Sequence, residues 1–221
     1  MLTKKIYALF LFILCICLFT FYKIDAGNLP LSNKIIYLDP GHGGVDPGST
    51  YKNIYEKNLN LSICEYLKES LEKEGAKVFM TRYGDYDLSN NNVTYRKKSD
   101  LNNRATVINK SKADMYISIH LNATRSSTWK GAQVFYDDVN EKNKDIAEVI
   151  QNKLGEDIAT QREYSEIKGM LLNRKVRVPG VLIEVGFLSN SNDRYLLQQK
   201  SYQKKISKSI TNGVIKYFKR T

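Results

Sequence analysis

Short apolar segments alternate with amphipathic segments along most of this chain, and this alternation limits the folds open to it. Buried strands are predicted at 34–39, 77–80, 113–120, 133–136 and 181–185, where short apolar runs are bounded by turn residues. Apolar residues recur at helical spacing in between, at 59–71, 101–108, 146–154 and 195–218. The pattern predicts an α/β fold with a mixed, largely parallel central sheet and helices on both faces.

The first 26 residues form a separate segment. Lys4 and Lys5 precede an uninterrupted apolar run at 6–22. A positive start and an apolar run are typical of an export signal, and the run approaches the roughly 17 to 25 residues that span a bilayer. We therefore predict a signal peptide or membrane anchor at 1–26, a linker at 27–33 and one folded domain at 34–221 outside the membrane. An anchor is favoured over cleavage at Ala26 and over a buried core helix.

Charge and cysteine content limit the partners and the redox chemistry. The 34 basic and 23 acidic residues give a net charge of +11, which suits nucleic acid, an anionic membrane or an acidic polymer. Export makes nucleic acid the poorest of these partners, and the basic residues at 200–220 are more typical of a solvated helix face than of a binding surface. Cys64 is the only cysteine of the folded domain, so no internal disulfide is possible and we expect it to pack as a small apolar residue.

Both histidines of the chain fall at predicted strand ends. His42 follows the first strand within a glycine-rich loop, and His120 closes the third strand. A single histidine is more often an ordinary surface or core residue. Ligands of α/β sheets bind beyond the carboxyl ends of the strands, however, so two histidines there suggest a metal site.

Two glutamates complete the candidate site. Catalytic zinc takes three protein ligands, and Glu56 at the predicted start of the first helix is the candidate third, although a carboxylate there also interacts favourably with the helix dipole. Glu184 interrupts the last apolar strand, where a buried carboxylate is costly. It either pairs with a basic residue or belongs to a site in which it transfers protons.

Other common chemistries find no support in the sequence. No Gly-Lys-Ser/Thr follows the glycine-rich loop, and no Gly-x-Ser-x-Gly motif is present. A phosphate-binding loop and a serine nucleophile are therefore not predicted.

Five motifs together resemble the zinc N-acetylmuramoyl-L-alanine amidases, in order and in spacing. They lie at 36–44, 56–58, 81–82, 118–123 and 183–190. The compact build behind an N-terminal apolar segment is most similar to the CwlD amidases of spore-forming bacteria. The resemblance implies a phosphorylase/hydrolase-like fold, with 34–221 as the zinc amidase catalytic domain.

The resemblance also implies a chemistry. His42, Glu56 and His120 would hold Zn²⁺, and Glu184 would be the catalytic residue. The reaction would be hydrolysis of the amide between the lactyl group of N-acetylmuramic acid and L-alanine, and in the CwlD group it prepares the muramic δ-lactam of spore cortex. Asn122 is either a substrate-binding residue or part of a structural loop hydrogen bond.

The implied partners are peptidoglycan, the membrane through the N-terminal segment, and an activating protein. The chain has neither wall-binding repeats nor the long insertion that blocks the site in some relatives, so its regulation is expected to come from elsewhere. The implied location is the cell envelope, or the forespore intermembrane space for a sporulation enzyme. Two alternatives stay open: a non-catalytic peptidoglycan-binding protein on the same fold, and another zinc hydrolase of the wall. We expect Arg82 and Arg104 to brace the fold or to pair with carboxylates rather than to touch substrate.

Overall fold

The computed structural model describes residues 5–7, 9–17 and 29–220. The helical residues 5–7 and 9–17 are labelled α1. Among the described residues, no helix has both the length and the apolar character needed to cross a membrane. The predicted signal or anchor at 1–26 and the linker at 27–33 lie partly outside the described residues, and Ala26 lies wholly outside them. Both therefore stay predictions.

The strands form one large sheet and one small hairpin. Their bounds are β1 Ile35–Pro40, β2 Thr50–Tyr51, β3 Ile54–Tyr55, β4 Lys77–Met80, β5 Met115–Asn122, β6 Gln133–Tyr136, β7 Ser165–Glu166 and β8 Gly180–Phe187. The large sheet has the order β4-β1-β5-β8-β6-β7, and β2 pairs with β3. Only the β6–β8 pairing is antiparallel in the large sheet, so the predicted mixed, largely parallel sheet is confirmed.

The helices cover both faces of this sheet, as predicted. Their bounds are α2 Glu56–Lys73, α3 Arg96–Lys110, α4 Lys142–Ile158, α5 Leu171–Lys175, α6 Ser191–Leu197 and α7 Lys200–Phe218. The larger apolar core lies under α2, α4 and α7 and includes Ile36, Leu38 and the buried Cys64. A smaller core lies under α3 and α5 against Tyr37 and Tyr116. Alternate residues of β1 thus enter opposite cores, as the two-residue period of a strand requires.

The structure corrects the sequence predictions in one long element. The helix expected over 195–218 is two helices, α6 and α7. The Asn190 side chain accepts hydrogen bonds from the backbone N–H groups of Asn192 and Asp193 and so begins α6. Gln199 has an extended backbone (φ −85°, ψ 121°), after which α7 begins anew. The segments β2, β3, β7 and α5 were not predicted, because two to five residues are too few to show a period.

Gly213 lets α7 pack closely against α4. A Cβ at this position would lie 2.9 Å from the Cα and 3.0 Å from the Cγ1 of Ile150. The clash involves backbone, which cannot move aside as a flexible side chain can.

Gly213→Ala is therefore expected to destabilise the fold by about 1 to 3 kcal/mol, because overpacking exceeds the gain of up to about 1 kcal/mol in helix propensity. Urea unfolding measures the change. Gly155→Ala in α4 is the matched control, since its Cβ would lie no closer than 3.6 Å to the Thr160 carbonyl oxygen. The control should be neutral or stabilising; equal effects of the two substitutions would contradict the packing explanation.

Candidate functional site

A tight turn after β1 carries His42. His42, Gly43 and Gly44 have φ values of 62°, 134° and 57°. Positive φ is uncommon for a non-glycine residue, and a Cβ at Gly43 would lie 2.3 Å from the Tyr86 carbonyl oxygen. The Nδ1 of His42 lies 2.9 Å from a carboxylate oxygen of Asp46. The Nε2 of His42 consequently faces the interior of the site.

Arg104 holds this turn from below. Its guanidinium donates to the carbonyl oxygens of Pro40 (2.9 Å) and His42 (2.6 Å). It also donates to the carboxylates of Asp39 (2.8 Å) and Asp100 (2.9 Å). Arg104 and Asp39 are each only 1% exposed, so this is a buried ion pair with its hydrogen bonds satisfied. Burial alone would raise the pKa of Asp39, but Arg104 holds it below its usual range.

Arg82 braces the same segment from the β4 side. Its guanidinium donates to the carbonyl oxygens of Pro40 (2.9 Å), Gly41 (2.9 Å), Lys57 (2.7 Å) and Gly84 (3.0 Å). The expectation that Arg82 and Arg104 brace the fold is therefore confirmed. Most of their partners are backbone carbonyl groups, including those near the end of β1, and sequence patterns do not reveal such contacts.

Three side chains from different elements meet beyond the ends of β1 and β5. An oxygen of Glu56, the first residue of α2, lies 3.1 Å from His42 Nε2 and 3.1 Å from His120 Nδ1. These three ligand atoms all lie within 4.8 Å of one another. The side chain of Glu56 is 3% exposed, whereas those of His42 and His120 are 15% and 17% exposed. The structure thus brings the three predicted ligands together.

Backbone groups orient the carboxylate of Glu56. Its two oxygens accept hydrogen bonds from the N–H groups of Leu121 (3.0 Å) and Ser49 (2.8 Å). Burial raises the pKa of Glu56, but hydrogen bonds from His120 and His42 more than offset it, so the pKa lies far below its usual range. Glu56 is therefore ionised, as a metal ligand must be.

Two glycines leave room for the ligands. A Cβ at Gly41 would lie 2.3 Å from His120 Nε2, and a Cβ at Gly48 would lie 2.7 Å from a Glu56 carboxylate oxygen. Two imidazole nitrogens, one carboxylate oxygen and an aspartate behind one histidine form a donor set that suits a divalent metal such as zinc. The residues present therefore fit the metal that the family resemblance implies.

Glu184 lies beside this cluster on the neighbouring strand. It pairs with His120 between β5 and β8, and both side chains line a cavity of about 490 Å³. Burial raises the pKa of Glu184 to about 7, the nearby His120 and His42 opposing and Glu56 adding to the effect. No lysine or arginine of the described residues forms an ion pair with Glu184, and its Oε2 is buried without a hydrogen-bond partner among them. The alternative of a structural ion pair is thus not supported.

Of two further polar residues near the site, the sequence predicted Asn122 and did not predict Asp46. Asn122 lines the same cavity at the end of β5, and its backbone oxygen accepts a hydrogen bond from Leu188. Its substrate-binding role stays a prediction. Asp46 was missed, and its only sequence signal is a carboxylate four residues after His42 in a loop.

Comparison with known proteins identifies the family. A family model described as N-acetylmuramoyl-L-alanine amidase matches residues 36–216. The chain belongs to the N-acetylmuramoyl-L-alanine amidase family. The predictions of this family and of an amidase enzyme are therefore confirmed.

Individual relatives of this amidase family agree with the assignment. The chain is 44% identical over 195 residues to the germination-specific N-acetylmuramoyl-L-alanine amidase of Bacillus subtilis (strain 168), covering 86% of this chain and 82% of the relative. It is similar to the CwlD amidase of Clostridioides difficile, solved in complex with the GerS lipoprotein, with a TM-score of 0.82 at 38% identity over 86% and 100% of the two chains. It is also similar to an N-acetylmuramoyl-L-alanine amidase from Clostridium difficile 630, with a TM-score of 0.76 at 30% identity. The match covers 84% of this chain and 97% of that one.

The buried ion pair of this amidase domain predicts a pH-dependent stability. Asp39→Asn should destabilise the fold by about 3 kcal/mol near pH 7, because the Arg104 charge loses one of its two carboxylates. The pKa of Asp39 is lowered in the folded state. Its contribution is therefore fully present above the unfolded pKa of about 4 and is lost as pH falls through the lower folded value.

Urea unfolding of wild type and Asp39→Asn between about pH 7 and pH 3 measures this contribution. The difference in the free energy of unfolding between the two proteins should decrease as the pH falls. The exposed Asp138→Asn is the control and should show almost no gap at any pH. A gap for Asp39→Asn that stays constant with pH would contradict the ion-pair assignment.

Proposed function

We propose that this chain is a zinc-dependent amidase that cleaves the bond between the lactyl group of N-acetylmuramic acid and the L-alanine of peptidoglycan stem peptides. The observation that carries the proposal is the meeting of His42, Glu56 and His120 beside Glu184 in one cavity. Family membership supports the choice of amide.

The residues divide the chemistry between them. Zinc, when held by His42, Glu56 and His120, supplies a Lewis acid that polarises an amide carbonyl and acidifies water. The Glu184 carboxylate accepts the proton of the attacking water and returns it to the departing amine of L-alanine, because an amide nitrogen leaves poorly until it is protonated. A pKa of about 7 suits both halves of this transfer.

Hydrogen bonds fix the ligands in position for this role. The Nδ1 of His42 lies against the Asp46 carboxylate, so Nε2 is the ring nitrogen that would bind the metal. The backbone N–H groups of Ser49 and Leu121 hold the Glu56 carboxylate between the two histidines. These side chains therefore need little reorganisation before a metal ion binds.

The relatives support a setting for the reaction. One is named germination-specific, and another was solved with a lipoprotein partner. We therefore propose that this chain acts on spore cortex peptidoglycan at the cell envelope, where it prepares muramic acid for δ-lactam formation.

The proposal extends to attachment and activation. The N-terminal segment would act as a signal or anchor, and the apolar side chains of Ile6, Phe10 and Phe12 are 60–65% exposed. The membrane anchor or a partner protein would raise metal loading or substrate engagement above that of the soluble domain alone. Full activity of the isolated soluble domain on peptidoglycan would contradict this dependence.

Glu184→Gln should lower the rate of cleavage by about 10² to 10⁴, because the proton-transfer group is lost while the metal ligands stay intact. Mass spectrometry of products from purified muropeptides, with metal content measured in parallel, checks both expectations. The exposed Glu163→Gln is the control and should cleave at the wild-type rate. Unchanged cleavage by Glu184→Gln would contradict the mechanism.

The same assay separates the alternatives. Wild-type protein supplied with zinc that binds muropeptides and releases no stem peptide would favour a non-catalytic binding protein. Release of acetate or of shortened peptides would instead favour another zinc hydrolase. Intact stem peptides that begin with L-alanine, formed only without chelator, are the expected product.

Gly41→Ala should weaken zinc binding by at least about tenfold, because the added methyl group displaces the His120 ring. Zinc titration against a chelating dye measures the affinity. Gly84→Ala is the matched control, since its Cβ would approach the Tyr86 ring no closer than 3.4 Å. Equal zinc affinity of the two variants would contradict the placement of His120 at the metal.

A further inference from the structure

Asn173 of α5 is a buried polar residue that the chemistry above does not use. It lines the same cavity as His120 and Glu184 and is only 1% exposed. Neither its Nδ2 nor its Oδ1 has a hydrogen-bond partner within the described part of the chain. A complete amide donor and acceptor pair therefore stands unused in the wall of the catalytic cavity.

Asn143 of α4 shows how a structural asparagine behaves in this fold. It is 3% exposed, and both its side-chain atoms are paired. Its Nδ2 donates to the Asp137 carbonyl oxygen (2.9 Å), and its Oδ1 accepts from the Gly180 N–H (2.8 Å). Asn173 has no equivalent of either bond.

The unpaired amide destabilises the folded protein when no ligand is bound. Burying such a group without partners destabilises the fold, and an apolar side chain of the same shape avoids this cost. Leucine is close to asparagine in size. Asn173 thus gains a favourable role only when a ligand supplies the missing donor and acceptor.

We propose that Asn173 binds an amide group of the substrate, donating from Nδ2 to a carbonyl oxygen and accepting an N–H at Oδ1. This rests on the proposed function, because it takes its ligand from the same substrate. Secondary amides occur there in three places: the acetamido groups of the sugars, the lactyl–L-alanine bond and the bonds of the stem peptide.

The surroundings favour such a contact. Met170 and Leu171, just before Asn173, also line the cavity, and apolar neighbours strengthen a hydrogen bond by lowering the local dielectric constant. No hydrogen bond from the described residues holds the Asn173 carboxamide, so contact with a ligand would break none.

The test separates binding from cleavage by using the zinc-loaded Glu184→Gln protein. Calorimetry measures the Kd of this protein for a disaccharide-tetrapeptide muropeptide. The same measurement is made on three double variants, in which Glu184→Gln is combined with Asn173→Leu, Asn173→Ala or the control Asn143→Leu. Removing Asn173 should raise the Kd about tenfold, because two hydrogen bonds to the ligand are lost. A tenfold change corresponds to about 1.4 kcal/mol of binding free energy. Asn143→Leu should leave the Kd unchanged.

Thermal unfolding gives an independent reading. Asn173→Leu should keep or raise the Tm, because it removes an unpaired amide, whereas Asn143→Leu should lower it. A lower Tm for Asn173→Leu with an unchanged Kd would show a structural residue and overturn the inference.

Two modified ligands then identify the source of the amide. One muropeptide lacks the acetyl group of muramic acid, and the other has its peptide trimmed to L-alanine. The ligand whose affinity no longer depends on Asn173 is the one that has lost the contacted amide. If both affinities still depend on Asn173, the contacted amide is one that both ligands keep, the lactyl–L-alanine bond or the acetamido group of the other sugar.

The failures of the two proposals are distinguishable. Cleavage by wild type, with a Kd that never depends on Asn173, overturns this inference alone. Asn173-dependent binding without any cleavage by zinc-loaded wild type overturns only the proposed function. Absence of measurable binding by the Glu184→Gln protein also overturns this inference.

Discussion

The buried guanidinium groups of Arg82 and Arg104 hold the backbone that carries His42, one of the three proposed metal ligands. Both donate to the carbonyl oxygen of Pro40, and they also reach the carbonyl groups of Gly41 and His42. Buried carbonyl groups need hydrogen-bond partners, and these two side chains supply them at the end of β1. The charge of Arg104 is tolerated because carboxylates pair with it inside the fold. The turn that carries the first ligand is thereby fixed before any metal arrives.

The topology of the sheet then brings the other groups to this turn. Glu56 enters from the start of α2, while His120 and Glu184 stand opposite each other on β5 and β8. Carboxyl ends of parallel strands share one edge of a sheet, so side chains distant in sequence meet there. The same crowding that fits the ligands together buries Glu184 and raises its pKa to about 7. The proposed metal binding and the proposed proton transfer thus depend on one arrangement.

The parts of the site that sequence predicts are those that break a pattern. His120 and Glu184 are polar residues in apolar strands, and His42 follows a strand in a glycine-rich loop, so all three could be selected as candidates. Glu56 rested mainly on the family resemblance, because a carboxylate at a helix start is common. Asp46 gave no clear sequence signal, since its contact with His42 depends on loop geometry. The break before α7 was missed because the helical spacing of apolar residues continues across it, although the backbone of Gln199 is extended.

The proposed metal site is open to direct observation. Diffraction from crystals grown with zinc, recorded at the zinc absorption edge, locates the ion without reference to activity. The expected result is one anomalous peak about 2.0 to 2.2 Å from His42 Nε2, a Glu56 carboxylate oxygen and a ring nitrogen of His120. A zinc ion bound to other residues, with these three side chains uncoordinated, would contradict the proposed site.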